Sequence, residues 1–179
     1  MLLGDNMYKN FKIVKVDSKY CDYLRNFDNK VSYNAGKKEL RPFIGVLFMV
    51  GNCEYFAPLS SPKSKHKTLK NTIDLLKINN GIYGVINFNN MIPVIKNSYI
   101  EFDLNKKTDN KDEKQRIMLL RNQLRWLTAN KKEVIKKSKL LYNLYKNNKL
   151  PKNVKDRCCN FILLEEKSKM YKEDLWKEN

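Results

Sequence analysis

The 179-residue chain carries 36 Lys and Arg against 19 Asp and Glu, a formal charge of +17 with its single histidine neutral, and 42 % of its residues are hydrophobic. That length and apolar content suit one folded domain with a sizeable core, so disorder along the whole chain is excluded. The longest apolar run, Phe43 to Val50, has the length of a strand and excludes a spanning helix, while so large a positive excess points to a polyanionic partner, nucleic acid before an anionic membrane surface.

Residues 1–10 read as a flexible N-terminal extension to a single domain covering 1–179. Its acid at Asp5 and its shortness do not fit a secretory signal, so the expected location is the cytoplasm. Ser18 is placed to cap a first helix, along which Tyr20, Tyr23, Leu24 and Phe27 recur on one face; the helix is expected to end near Asp28-Asn29. Ser32 to Lys38 has no periodicity and reads as an exposed loop able to carry binding residues. Pro42 to Val50 and Tyr55 to Leu59, joined through Gly51-Asn52, predict a hairpin. The polar, basic stretch Ser60 to Lys67 ends its second strand. Ile73 to Ile78, Gly84 to Phe88, Met91 to Ile95 and Tyr99 to Phe102 predict further strands, so the first hundred residues read as one helix followed by an antiparallel sheet.

From about Asp112 the period changes. Ile117, Leu120, Leu124 and Leu127 share one helical face, with Arg121 and Arg125 one turn apart on its flank. Asn130 and the lysines after it, Lys131 and Lys132 first, mark a break before a second helix that ends ahead of Pro151. Between Lys131 and Arg157 stand ten basic residues and two acidic ones; by default such a run is a solvated helix face, although its lack of compensating acid favours phosphate contact. Phe161 to Leu164 is apolar enough to dock into the core, and a charged helical tail follows. The predicted class is therefore α+β, a single antiparallel sheet packed by several helices.

The chemistry is bounded first by what is missing. The sequence has no Gly-rich phosphate loop, no H-E-x-x-H, and no cluster of carboxylates suited to a two-metal nuclease. Four cysteines without a C-x-x-C pair, beside one histidine, give no zinc site and read as reduced structural residues; no metal or other cofactor is expected. RNA offers a route that needs none. Its 2′-hydroxyl is an internal nucleophile beside the phosphate, so a protein has only to align it, take its proton, stabilise the added negative charge and protonate the leaving 5′-oxygen. With one histidine, such a protein must work with Lys, Tyr, Ser and at most His66. Ser60-Ser61-Pro62-Lys63-Ser64-Lys65-His66 brings hydroxyls and cations together at a strand end, although by its pattern alone it reads first as a solvated basic turn. His66 alone fits a surface histidine as well as a catalyst, and Tyr20 on its apolar face reads as core. Lys and Tyr, with ordinary pKa values near ~10, serve as bases only where neighbouring positive charge lowers them.

Several segments, taken in order, carry a resemblance: Tyr20 with Tyr23-Leu24 and Phe27-Asp28; Lys30-Val31; Phe43-Ile44-Gly45; Tyr55 with Ala57-Pro58-Leu59-Ser60-Ser61-Pro62-Lys63 and His66; Met91-Ile92-Pro93; and Cys159-Asn160-Phe161 with Leu163-Leu164-Glu165-Glu166. From about Phe11 to Tyr171 the chain resembles the ToxN/AbiQ family of endoribonuclease toxins from type III toxin–antitoxin systems. The A-P-L-[ST]-S-P-K segment is its most specific element. The resemblance implies a twisted, partly open antiparallel barrel similar to the MazF/Kid toxins, metal-independent cleavage of cellular and phage RNA to 2′,3′-cyclic phosphate and 5′-hydroxyl ends, and abortive infection against phage. It also implies inhibition by a small repeated pseudoknot RNA, which the toxin cuts from a precursor and with which it can close into a ring.

By motif, Ser60 and Ser61 would orient the scissile phosphate and the 2′-hydroxyl, Ser60 standing where relatives have Thr. Lys63 would stabilise the phosphorane-like charge or shuttle a proton, Tyr20 would hold substrate, and His66 matches a family position. A loop tyrosine falls on Tyr33, and Arg41 stands where relatives have Lys. Lys37, Lys65, Lys67, Arg121, Arg125, Lys131 and Lys132 join Tyr33 and Arg41 as expected RNA contacts. The alternative reading is a basic RNA-binding protein without catalysis, since phosphate contact and stacking alone need no more than these cations and aromatics.

Overall fold

The computed structural model describes residues 10–33 and 41–177; the expected N-terminal extension, apart from Asn10, and Lys37 lie outside the described residues. The described chain opens on a strand that the sequence reading did not mark, β1 (Lys12–Val16), before the first helix, α1 (Ser18–Arg25). Ile13, Val14 and Val16 are all buried because β1 lies between two other strands. A strand covered this way loses the alternation that would announce it. The cap of α1 is Asp17 rather than Ser18: its Oδ1 accepts from the Tyr20 N–H at 3.1 Å. The helix also ends earlier than expected, and Phe27 lies in the turn beyond it, 40 % exposed.

Seven further strands follow: β2 (Phe43–Gly45), β3 (Met49–Val50), β4 (Cys53–Ser60), β5 (Leu75–Lys77), β6 (Val85–Asn87), β7 (Ile92–Val94) and β8 (Tyr99–Glu101). All their pairings are antiparallel. The run from Phe43 to Val50 is two strands, not one. It bends between them, where the Leu47 N–H donates to Tyr55 O and the Tyr55 N–H donates to Phe48 O, each at 2.9 Å. The expected hairpin through Gly51-Asn52 closes there, with Val50 opposite Cys53.

Strand β4 is the spine of the sheet. Its first half pairs with β3 and β7, and its second half with β2, through Ala57 and Pro58, and with β6, through Leu59 and Ser60. The path β5-β6-β4-β2-β1-β8 leaves β5 and β8 as edges, so the sheet is twisted but not closed into a barrel. The last residue of the spine is Ser60, so the motif that follows starts at the end of the most heavily paired strand.

The helices are α2 (Ser64–Thr68), α3 (Lys111–Ala129), α4 (Lys131–Lys146), α5 (Lys152–Lys155) and α6 (Phe161–Lys177). Asn110 caps α3 by accepting from the Glu113 N–H at 3.0 Å, and Asp112 and Glu113 in its first turn complement the positive end of the helix. Leu120 and Leu127 of α3, Val134 and Leu141 of α4, and Phe161 and Leu164 of α6 join Phe43, Tyr55 and Phe56 of the sheet in one core. Each such fully buried side chain contributes about 1.5–3 kcal/mol. Cys21, Cys53, Cys158 and Cys159 are free thiols buried in the same interior. No described helix is long and apolar enough to cross a membrane.

Candidate active site

Where β4 ends, the chain turns through Ser60-Ser61-Pro62-Lys63 into α2, and this turn faces α3 across a cavity of about 350 Å³. The polar lining is Arg41, Ser60, Ser61, Lys63, Arg116 and Gln123; Pro42, Leu59, Leu119 and Leu120 supply apolar walls. Three cations and two hydroxyls therefore converge, and among the described residues no carboxylate lines the space. Such a surface is built for an anion.

The turn is held from below. The Lys63 N–H donates to His66 Nδ1 at 3.2 Å while the His66 N–H donates back to Lys63 O at 2.8 Å, a reciprocal pair that closes the start of α2. His66 is 3 % exposed, whereas Ser61 and Lys63 are open to solvent. Burial, helped by the neighbouring Lys63 and Lys65 cations, lowers the imidazole pKa below its ordinary value, which keeps Nδ1 free to accept.

Beside the turn, Ser60 Oγ accepts from Asn87 Nδ2 at 2.9 Å, an arrangement that leaves the hydroxyl proton available to an incoming acceptor. The backbone of the preceding loop approaches closely here. Gly84, at φ +94°, has no room for a side chain, since a Cβ would stand 1.9 Å from Ser60 O. Gly81, at φ +88°, meets the His66 carbonyl in the same way, at 2.4 Å.

The cations come from separate elements. Arg41 donates to Ser32 Oγ at 3.4 Å, and burial draws its pKa down. Arg116 lies over the Phe102 ring at 5.2 Å; burial lowers its pKa and Glu113 partly restores it. Both guanidiniums stay charged at neutral pH, because an arginine does not deprotonate in proteins.

Of the residues singled out in the sequence, Ser60, Ser61, Lys63 and Arg41 come together at this cavity. Tyr20 does not. It is fully buried, its hydroxyl donates to Pro93 O at 2.7 Å, burial raises its pKa well above the usual phenol value, and its ring meets Tyr171 edge-on at 5.0 Å. In this structure Tyr20 is a core side chain with no exposed face, and it is not among the residues that line the cavity. His66 is likewise a positioning residue beneath the turn, not a group that meets the cavity.

The expected RNA contacts are more scattered. Lys65 and Lys67 are exposed on α2, and Tyr33 is 52 % exposed with the Arg25 guanidinium 4.9 Å from its ring centre. Arg121 and Arg125 stand roughly 140° and 180° around α3 from Arg116, so they face away from the cavity; Arg121 Nε donates to Leu104 O at 2.6 Å. Lys131 and Lys132 open α4, Lys131 over the Phe11 ring at 5.8 Å.

Two lining residues, Arg116 and Gln123, were not found from the sequence. A signal existed for Gln123: it interrupts the apolar stripe of Ile117, Leu120, Leu124 and Leu127 with a polar side chain that is 1 % exposed.

Residues 12–169 match the family model described as Toxin ToxN, type III toxin–antitoxin system. The chain belongs to the ToxN toxin family. The endoribonuclease ToxN of Bacillus thuringiensis subsp. kurstaki is 33 % identical over 168 residues, 92 % of this chain and 86 % of that one. A solved chain from work on bacterial type III toxin–antitoxin systems, in which a toxin is selectively inhibited by a non-coding RNA pseudoknot, superposes with a TM-score of 0.76 at 32 % identity, over 92 % of this chain and 99 % of the other. AbiQ, a lactococcal anti-phage endoribonuclease of a type III system, has the same TM-score and coverage at 25 % identity. ToxN-family membership and the mixed fold agree with the resemblance read from the segments between Tyr20 and Glu166.

Proposed function

We propose that the chain is a metal-independent endoribonuclease toxin and that the cavity at the end of β4 is where it cuts. The convergence of Ser60, Ser61 and Lys63 with Arg41 and Arg116 around one cavity is the observation that carries this reading. The cations bind the scissile phosphate and lower the energy of the dianionic, phosphorane-like transition state. Ser60, its oxygen engaged by Asn87, and Ser61 donate to the non-bridging oxygens and hold the 2′-hydroxyl in line. The 2′-oxygen attacks phosphorus as its proton passes to solvent water, the bond between phosphorus and the 5′-oxygen breaks, and that oxygen takes a proton from the Lys63 ammonium and leaves as a hydroxyl, solvent then returning the proton to Lys63. The products are a 2′,3′-cyclic phosphate and a 5′-hydroxyl. Lys63 is the group assigned to transition-state charge and proton transfer. Among the described residues, the donor set of hydroxyls, cations and one amide gives a divalent cation no anionic ligand, which supports a route through the RNA's own nucleophile.

On the same reading the chain is a cytoplasmic toxin of an anti-phage system, held by a small repeated pseudoknot RNA that it processes and with which it assembles; the names of the relatives support the endoribonuclease, anti-phage and pseudoknot-inhibition parts of it. The test separates cutting from binding. Ser61→Ala and Lys63→Ala are expected to reduce cleavage of a long RNA at least about 100-fold while keeping most of the affinity, because many other cations contact phosphate. Full activity in both variants would overturn the assignment, and tight binding without cleavage by the unaltered protein would make it a non-catalytic RNA-binding protein.

A further inference from the structure

Phosphate chemistry accounts for the cations and hydroxyls of the cavity but not for Gln123. Its side chain is 1 % exposed, lines the cavity, and has one of its two polar atoms tied: Nε2 donates to Tyr83 O at 2.7 Å. The other, Oε1, is buried with no hydrogen-bond partner. The amide cannot turn over to relieve this, since that would set Oε1 against the Tyr83 carbonyl. Buried, unpartnered acceptors are uncommon in folded proteins, and one carried by a residue that lines a binding cavity is a candidate to accept from a bound donor. Gln123 shares its helical face with Arg116, Leu119 and Leu120, so the residue lines the cavity together with a cation and apolar walls suited to the flat face of a base. The volume, about 350 Å³, has room for a single unstacked nucleoside.

We infer that Gln123 is a specificity-determining residue: its Oε1 accepts from the exocyclic amino group of the RNA base that enters the cavity next to the scissile phosphate. This rests on the nuclease reading above and adds a base preference to it. Adenine, cytosine and guanine each carry an amino group; uracil carries carbonyl oxygens in those places and would set acceptor against acceptor. A site built to hydrogen-bond a substrate group rejects the analogue lacking it far more strongly than an apolar pocket can, because its own buried group stays unpaired.

The experiment maps cut sites in a long RNA of random sequence for the unaltered protein and for Gln123→Met. The wild type should show uracil depleted at one position flanking the cut. The variant should restore uracil there while its kcat/KM at amino-bearing sites falls about 10-fold or more. A second arm needs no variant: an oligonucleotide carrying the des-amino analogue of the preferred base at that position should be cut about 10-fold or more slowly by the wild type. An unchanged base profile in Gln123→Met, or equal cutting of the des-amino substrate, overturns this inference and leaves the nuclease standing. Failure of the wild type to cut RNA at all overturns the nuclease reading and this inference with it.

Discussion

His66 is the only histidine of the chain, and its value lies in staying uncharged. A proton on Nδ1 would remove the acceptor that holds the Lys63 N–H, loosening the turn that presents Ser61 and Lys63. Because the folded pKa lies below the unfolded value near ~6.5, the unfolded chain binds more protons between the two. The histidine's contribution to stability is therefore complete above about pH 6.5 and is lost as pH falls toward the folded value. Its single imidazole resonance should titrate with a midpoint below that of a free histidine; a midpoint at or above about 6.5 would contradict the buried hydrogen bond. Legibility at this scale was uneven. Ser60, Ser61 and Lys63 were readable because hydroxyls and a cation are adjacent in sequence, whereas Arg116 and Gln123 reach the same cavity from a helix more than fifty residues on. Tyr20 shows the opposite failure: its spacing with Tyr23 and Leu24 already placed it on an apolar face, and motif matching alone suggested a substrate contact.

At the scale of elements, the turn depends on neighbours that touch no substrate. In Gly84→Ala the new methyl group would meet Ser60 O, forcing β4 and the start of β6 apart. Displacement of reacting groups by an ångström is enough to cost about 100-fold in rate. Gly84→Ala should thus lose kcat/KM on that order while still giving a cooperative melt, and wild-type activity in it would show that the close approach is unimportant. Arg157→Ala tests a different tie. Arg157 clasps Asp74 through Nε to Oδ2 at 2.5 Å and Nη2 to Oδ1 at 3.0 Å, fastening the end of α5 to the loop before β5. Burial raises the Asp74 pKa, but the hydrogen bonds from Arg157 and Thr72 outweigh it and hold the carboxyl below its usual range. Removing the guanidinium leaves a buried carboxylate, so a urea midpoint should report a loss of about 2–3 kcal/mol, and no loss would show the tie to be idle. The helices were legible because α3 and α4 pack one stripe each against the sheet. Strand β1 and the bend inside Phe43 to Val50 were not, since residues covered on both faces carry no period to read.

The whole molecule is a basic body around an open sheet, with its cavity at the end of the spine strand. Its charge of +17 explains affinity for RNA in general but says nothing about cutting, because phosphate contacts serve a binder as well as a nuclease. The central claim concerns chemistry and is tested most directly by the ends of the fragments. Purified protein, free of bound RNA, is incubated with a long RNA in excess EDTA beside Lys63→Ala. Discrete cuts with cyclic-phosphate 3′ ends and with 5′-hydroxyl ends that a polynucleotide kinase can label directly are expected from the unaltered protein and are expected to be lost in the variant. Cleavage that stops in EDTA, or fragments bearing 5′-phosphates, would contradict it.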